Sequence, residues 1–248
     1  MKQDILNAAC SKCSLSETCM PEGFSPEGMQ KLSEIVAIRL HLRRGQSLFN
    51  AGDPFRALYV IRNGFFKTSL TEDDGREQIL GFQMAGELLG LDGIVNESHS
   101  CKALALEDSV VCAIPYPDLE KLSKDYSALQ HHMHQLMSSE IVRENGVLML
   151  LGNMKAEERL ATFLLNLSQR QHVRGFSQTE LQLRMSREEI GMYLGLTLNT
   201  VSRVFSKLGA TGSIDVKKRY VKILNPAHLK SICDKQPHLE CNHSHSEI

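Results

Sequence analysis

The chain has 248 residues, 42% of them apolar and 23% charged, and a formal net charge of −1 at pH 7. That length holds one large domain or two ordinary ones, each with its own core. The near-zero charge excludes a global attraction to nucleic acid or membrane, so any basic surface has to be local.

No apolar run reaches the ~18 residues of a membrane span, and Met1-Lys2-Gln3-Asp4 opens no apolar leader. The expectation is a cytoplasmic chain with no membrane partner and with reduced thiols. Seven cysteines, an odd number, then read as metal ligands and buried thiols rather than a disulfide framework. Three of them stand together as Cys10, Cys13 and Cys19, spaced C-x2-C-x5-C. A short loop with that spacing can aim three soft thiolates at one point, which suits an iron–sulfur cluster or zinc. A closed site needs a fourth ligand, and Cys101, Cys112, Cys233 and Cys241 are the candidates.

From about Ile38 to Ile114 short strands alternate with turns. Ser47-Leu48-Phe49 precedes Ala51-Gly52-Asp53, and Leu58-Tyr59-Val60-Ile61 precedes Arg62-Asn63-Gly64. Phe66 to Leu70 and Gln78 to Phe82 flank Glu72-Asp73-Asp74-Gly75, and Ser109 to Ile114 forms the last strand. This spacing predicts a β-barrel or jelly roll. Proline is then absent between Pro117 and Pro226, which suits helices. Met137, Ile141, Leu148 and Leu151 fit a heptad seam, with His134 and Glu144 completing it at intervals of 3, 4, 3, 4 and 3. A seam of this kind predicts a long helix paired with a second copy of the chain.

After Ala156 the pattern predicts three helices and a hairpin. Ser186 and Glu189 form the S-x-x-E of a capping box, Ile190 and Leu194 share a face, and Gly195 supplies a tight turn. Thr197 caps the next helix, where Val201, Phe205 and Leu208 face inward. This is a helix-turn-helix. Leu198, Asn199, Ser202 and Arg203 lie on its outer face. Arg203 can donate a fork to guanine, Asn199 can pair with adenine and Ser202 can take either role. Ile214-Asp215-Val216 and Tyr220 to Ile223 bracket Lys217, Lys218 and Arg219, a hairpin wing with a basic tip placed for phosphate. Pro237 to Ile248 reads as a flexible polar tail in which Cys241, His243 and His245 are potential metal ligands.

Taken together these motifs resemble the CRP/FNR superfamily of transcription regulators, and most of all its fumarate-and-nitrate-reduction, oxygen-sensing branch. The resemblance covers nearly the whole chain. Beside the cysteines and the helix-turn-helix it rests on Gly45-x-x-Leu48-Phe49-x-x-Gly52-Asp53, Leu58-Tyr59-x-Ile61-x-x-Gly64 and Gly81-Phe82-x-x-Ala85-Gly86-Glu87. Val111-Cys112-x-Ile114-Pro115 and Ala156-Glu157-Glu158-Arg159-Leu160-Ala161 complete it.

The fold so implied is α+β: an N-terminal cyclic-nucleotide-binding-like β-roll, a long dimerisation helix and a C-terminal winged helix-turn-helix. The expected divisions are a cysteine-rich segment 1–26, a β-roll 27–126, a dimerisation helix 127–155, a DNA-binding domain 156–235 and a tail 236–248. The resemblance selects Cys112 as the fourth ligand and implies a 4Fe–4S cluster on Cys10, Cys13, Cys19 and Cys112. It also implies a homodimer, a palindromic double-stranded DNA site with half-sites near TTGAT, and contact with RNA polymerase through the loop Arg174-Gly175-Phe176-Ser177.

Two positions depart from the superfamily pattern. Ser98-His99-Ser100-Cys101 lacks the arginine with which cyclic-nucleotide binders pair the phosphate. An unpaired phosphate is costly to bury, so no cyclic nucleotide is expected. Asn199 stands where glutamate is usual, which opens one base pair of the half-site. A seam glutamate, Glu144, faces its own copy, and two carboxylates ~5 Å apart at an effective dielectric of ~20 repel by about 3 kcal/mol.

Rival readings keep the DNA-binding regulator and change the signal to zinc, thiol redox or heme on scattered histidines such as His99, His131, His132 and His134. A remoter rival is an iron–sulfur electron carrier, for which a winged helix has no use. No nucleophile–base pair, P-loop or paired-acid motif points to an enzyme.

Overall fold

The computed structural model describes residues 2–4, 13, 19, 23–36, 38–72 and 74–233. The chain divides into two compact units, Met1–Glu144 and Asn145–Ile248. No helix among the described residues is long and apolar enough to cross a membrane.

The first unit is a β-roll of two antiparallel sheets. One has the order β1 (Lys2–Asp4), β2 (Ile38–Leu42), β9 (Ser109–Pro115), β4 (Ala57–Asn63), β7 (Leu88–Leu89). The other has the order β3 (Ser47–Phe49), β8 (Lys102–Ala105), β5 (Phe65–Thr71), β6 (Glu77–Met84). Side chains alternate across each strand, and this sorts the apolar residues into two cores. Val111 and Ala113 of β9 and Tyr59 and Ile61 of β4 join Leu40, Phe49, Phe66 and Ala105 inside the roll. Cys112 and Ile114 of β9 and Leu58 and Val60 of β4 take the opposite face. There they meet residues of three helices, α1 (Pro26–Ile35), α2 (Tyr116–Asp125) and the start of α3 (Ser127–Asn153). Register puts Cys112 beside Val60 on one strand and Arg39 on the other.

The helix α3 runs 27 residues, in line with the long helix expected from the proline-free stretch. Its flank toward the roll holds Leu129 and Met133, and Arg143 pairs with Glu87 at 3.8 Å. Its seam is open in the single chain: Ile141 is 59% and Leu148 67% exposed, Glu144 is exposed, and Met137 and Leu151 are half-buried.

The second unit carries α4 (Ala156–Val173), β10 (Glu180–Gln182), α5 (Arg187–Leu194), α6 (Leu198–Ala210), β11 (Ile214–Lys217), β12 (Tyr220–Ile223) and α7 (Pro226–Cys233). Its sheet has the order β10-β12-β11. The expected sequence of three helices and a hairpin therefore needs two additions. The strand β10 is only three residues long, and its one buried apolar side chain, Leu181, carries no readable period; pairing with Val221 defines it. The helix α7 follows Asn225, whose Oδ1 accepts from the His228 N–H at 3.0 Å, a cap ahead of a proline at the first helical position.

Candidate cysteine centre and nucleic-acid interface

The cysteines sort by surroundings. Cys101 is buried on the inner face of the roll, and its thiol sits 3.4 Å from Asp92 Oδ2. Burial, and then the Asp92 charge and hydrogen bond, push it up to about 12, so it stays a thiol. Cys233 is buried in α7; its Sγ lies 3.3 Å from the Leu229 carbonyl and from Thr162 Oγ1. Both are structural thiols. Cys13, Cys19 and Cys112 are each half-buried instead. Cys10 and Cys241 lie outside the described residues.

Cys112 shares the outer face of β9 with Ile114, in the core that includes Met133 of α3. The preceding residue, His132, hydrogen-bonds to the backbone of Cys19; burial lowers its pKa and that bond opposes the shift. His132 Nε2 is buried with no hydrogen-bond partner. One turn of α3 thus touches the Cys19 segment and the Cys112 core. Arg39, beside Cys112 in register, keeps a buried Nε without a partner, a cationic donor next to the thiol. Among the described residues no three His, Cys, Asp or Glu side chains converge as a metal-binding group. Half-buried thiols, with a buried His132 Nε2 and a buried Arg39 Nε that lack partners, have the donor chemistry of a soft-metal ligand set.

The second unit positions the DNA-facing side chains. Ser186 Oγ accepts from the Glu189 N–H at 3.1 Å and Glu189 Oε2 from the Ser186 N–H at 2.7 Å, so α5 starts with a capping box. Gly195 ends α5 at φ 63°, a left-handed turn that glycine adopts without strain. Thr197 Oγ1 accepts from the Thr200 N–H at 3.2 Å and opens α6. Val201, Val204, Phe205 and Leu208 are buried, while Leu198, Asn199, Ser202 and Arg203 are exposed. Arg203 has no ion pair or side-chain hydrogen bond among the described residues.

At the wing, Lys218 holds the turn at φ 57° and is exposed. Lys217 lies 3.6 Å from Asp215, and Arg219 donates to the Arg184 carbonyl at 3.1 Å, so these two are partly engaged inside the unit. The sequence reading missed Arg187. Its guanidinium lies over the Phe205 ring, 3.1 Å from the centroid, and its Nη1 is buried without a partner. Burial lowers its pKa to about 10, so it is still cationic at neutral pH. With Ser202 and Ser206 it lines a groove of about 480 Å³ between α6 and β11. No sequence spacing signals the contact, because Arg187 opens α5 and Phe205 lies in α6.

Comparison with known proteins fits this anatomy. Residues 39–126 match the cyclic nucleotide-binding domain family, and residues 158–232 match the Crp-like helix-turn-helix domain family. The transcriptional regulatory protein btr of Bordetella pertussis is 45% identical over 92% of this chain and 95% of that one. The fumarate and nitrate reduction regulatory protein of Vibrio cholerae is 42% identical over 90% of this chain and 89% of that one. The chain belongs to the CRP/FNR family of transcription regulators. Among CRP/FNR structures, FixK2 from Bradyrhizobium japonicum superposes with a TM-score of 0.72 at 29% identity, over 78% of this chain and 96% of that one. The CRP/FNR assignment agrees with the resemblance carried by the sequence motifs, and it makes DNA binding by the winged unit and dimerisation the working frame for the site.

Proposed function

We propose that this CRP/FNR regulator responds to oxygen. In this reading Cys10, Cys13, Cys19 and Cys112 hold a 4Fe–4S cluster at low oxygen, and its presence promotes dimerisation along α3 and binding to a palindromic site with half-sites near TTGAT. The sorting of the thiols carries the reading. Of the described candidates for a fourth ligand, Cys101 and Cys233 are buried and committed, and Cys112 is half-buried on the face that meets α3. The cluster supplies an oxygen-labile bond between the N-terminal segment and the roll. The name of the Vibrio cholerae relative points the same way, because fumarate and nitrate are electron acceptors used in place of oxygen.

The protein's own residues do the rest. Met133 and His132 couple the cysteine region to α3. Met137, Ile141, Leu148 and Leu151 form the seam between copies, opposed by Glu144 meeting its counterpart. Pairing sets two α6 helices one DNA turn apart. Asn199, Ser202 and Arg203 read base edges, with Thr197, Lys217, Lys218 and Arg219 on phosphates and Arg187 beside them. The loop with exposed Phe176 meets RNA polymerase. The β-roll takes no cyclic nucleotide, because no arginine stands in the 98–101 segment to pair a phosphate.

Anaerobic purification with an absorbance spectrum and iron and sulfide counts tests the centre. Wild type and Cys101→Ser are expected to carry the cluster, and Cys112→Ser to lose both cluster and anaerobic DNA binding. A protein colourless after anaerobic reconstitution, or a Cys112→Ser variant that keeps its iron, overturns the assignment.

A further inference from the structure

The segment 97–101 of the β-roll is bound on every side. The Phe55 N–H donates to the Glu97 carbonyl at 2.9 Å, the His99 N–H to the Asp53 carbonyl at 2.9 Å, and the Gly52 N–H to the His99 carbonyl at 2.8 Å. The His99 ring, 3% exposed as a residue, stacks on Phe49 with centroids 3.6 Å apart. This leaves the next two backbone N–H groups pointing at one place. Both are taken by Asp92, which arrives from the 3-10 turn Leu91–Gly93. Its Oδ2 accepts from the Ser100 N–H at 2.8 Å and the Cys101 N–H at 3.3 Å, with the Ser100 hydroxyl and the Cys101 thiol each at 3.4 Å. Its Oδ1 lies 3.3 Å from His99 Nδ1.

Two successive N–H groups with a hydroxyl alongside form a concavity that selects an anion. In a domain that matches the cyclic nucleotide-binding family, such a concavity is a place for a phosphate. We propose that Asp92 is an internal anion filling that place, so that the roll is closed to phosphate, whether free or carried on a cyclic nucleotide. This deepens the reading that the sensor domain takes no cyclic nucleotide, and rests on it. The missing arginine removes an attraction; Asp92 adds an occupant and a like charge. A phosphate entering here has to displace the carboxylate from its hydrogen bonds and then sit beside it, and the second cost disfavours the ligand even where the first is small.

The test uses the full chain and two probes, inorganic phosphate and cyclic AMP, read by amide NMR and titration calorimetry. Wild type is expected to bind neither, with no movement of the Ser100 and Cys101 amide resonances. Asp92→Ala opens the concavity and is expected to bind inorganic phosphate with a Kd of about 1 mM, the range of a small unanchored anion, with those two amides moving. Cyclic AMP binding to this variant at similar strength shows that the roll also admits the nucleoside. Binding of phosphate alone places the remaining block at the base and sugar, and both results support the plug. A folded Asp92→Ala that binds neither probe overturns the plug and leaves the wider reading standing. Wild type that binds cyclic AMP overturns both. Should Asp92→Ala not fold, the isosteric Asp92→Asn decides: loss of the charge is expected to shift the Ser100 and Cys101 amides upfield, and unmoved amides overturn the proposal.

Discussion

Arg159 is the residue whose removal tests most directly how the DNA-binding unit is held. From α4 it reaches three backbone carbonyls: Nε donates to Met154 at 2.8 Å, Nη2 to Leu151 at 2.8 Å and Nη1 to Leu194 at 2.9 Å. Leu151 lies in the last turn of α3 and Leu194 is the last residue of α5, so two of these carbonyls have no partner in their own helix. One guanidinium therefore caps both helices and favours their negative ends. Gly195, the turn into α6, sits against the same group, and a side chain there would come within 3.2 Å of Nη1.

Hydrogen bonds to a charged donor are worth ~1.5–3 kcal/mol each, but Arg159 is half-buried and water replaces part of what is lost. Arg159→Met is expected to destabilise the winged unit by about 2–4 kcal/mol, read as a shift in its urea unfolding midpoint. Arg159→Lys keeps the charge but loses the fork, and one ammonium cannot serve three carbonyls on separate segments, so it recovers less than half of that. In the folded fraction, loosening at Leu194 tilts α6, and affinity for a cognate duplex falls by at least about tenfold, or 1.4 kcal/mol. Unfolding of Arg159→Met within ~0.5 kcal/mol of wild type, the range of ordinary surface changes, would refute the capping argument.

Further expectations concern single sites. Gly191→Ala places a Cβ 2.5 Å from the Leu196 carbonyl oxygen and should cost about 2–3 kcal/mol, whereas Gly209→Ala has 3.9 Å of clearance and should be neutral or gain ~0.5–1 kcal/mol; parallel melts compare them. Asn199→Glu exchanges an amide for a carboxylate on the exposed face of α6, and a duplex-library selection should move from adenine toward cytosine at one half-site position by about 1–3 kcal/mol. With the Cys101 thiol at about 12, only ~1 part in 10,000 is thiolate at pH 8. Iodoacetamide on the native apoprotein should then label Cys112 and spare Cys101 and Cys233 by mass spectrometry. Glu144→Ala should strengthen dimerisation of the cluster-free protein ~100-fold in sedimentation, the equivalent of about 3 kcal/mol, and an unchanged constant removes Glu144 from the switch.

What the sequence made legible follows from where the physics is local. Capping at Ser186 and Thr197, the left-handed turn at Gly195 and the inward stripe Val201, Phe205, Leu208 are each set within a few residues, and each is present as read. The strands at Ser47, Leu58, Ser109 and Tyr220 were readable for the same reason. The strands β7, β8 and β10 have two, four and three residues, and pairing with β4, with β3 and β5, and with β12 defines them. Arg187 over Phe205, Arg159 across three carbonyls and Asp92 against Ser100 join elements whose proximity is a tertiary fact. The helices α1 and α7 carry a local signal of the same kind: each begins with a proline behind a capping residue, Ser25 and Asn225.

The open seam of α3 and the plugged roll belong to one argument about how such a protein is poised. Ile141 and Leu148 are mostly exposed, and burying a large aliphatic side chain yields ~1.5–3 kcal/mol. Because about 60% of each is still exposed, two copies of each contribute roughly 4–8 kcal/mol to a dimer, before the half-buried Met137 and Leu151 are counted. Against this stand an association cost of ~4–15 kcal/mol and about 3 kcal/mol of repulsion between Glu144 carboxylates. The two sums overlap, so a bias of a few kcal/mol at the N-terminal end of α3 is large enough to shift the pairing. Met133 and His132 place the cysteine region at that end. A roll able to accept phosphate would offer a second, unrelated bias on the same balance. In the proposed reading Asp92 fills the concavity and the cysteine region is the input to α3.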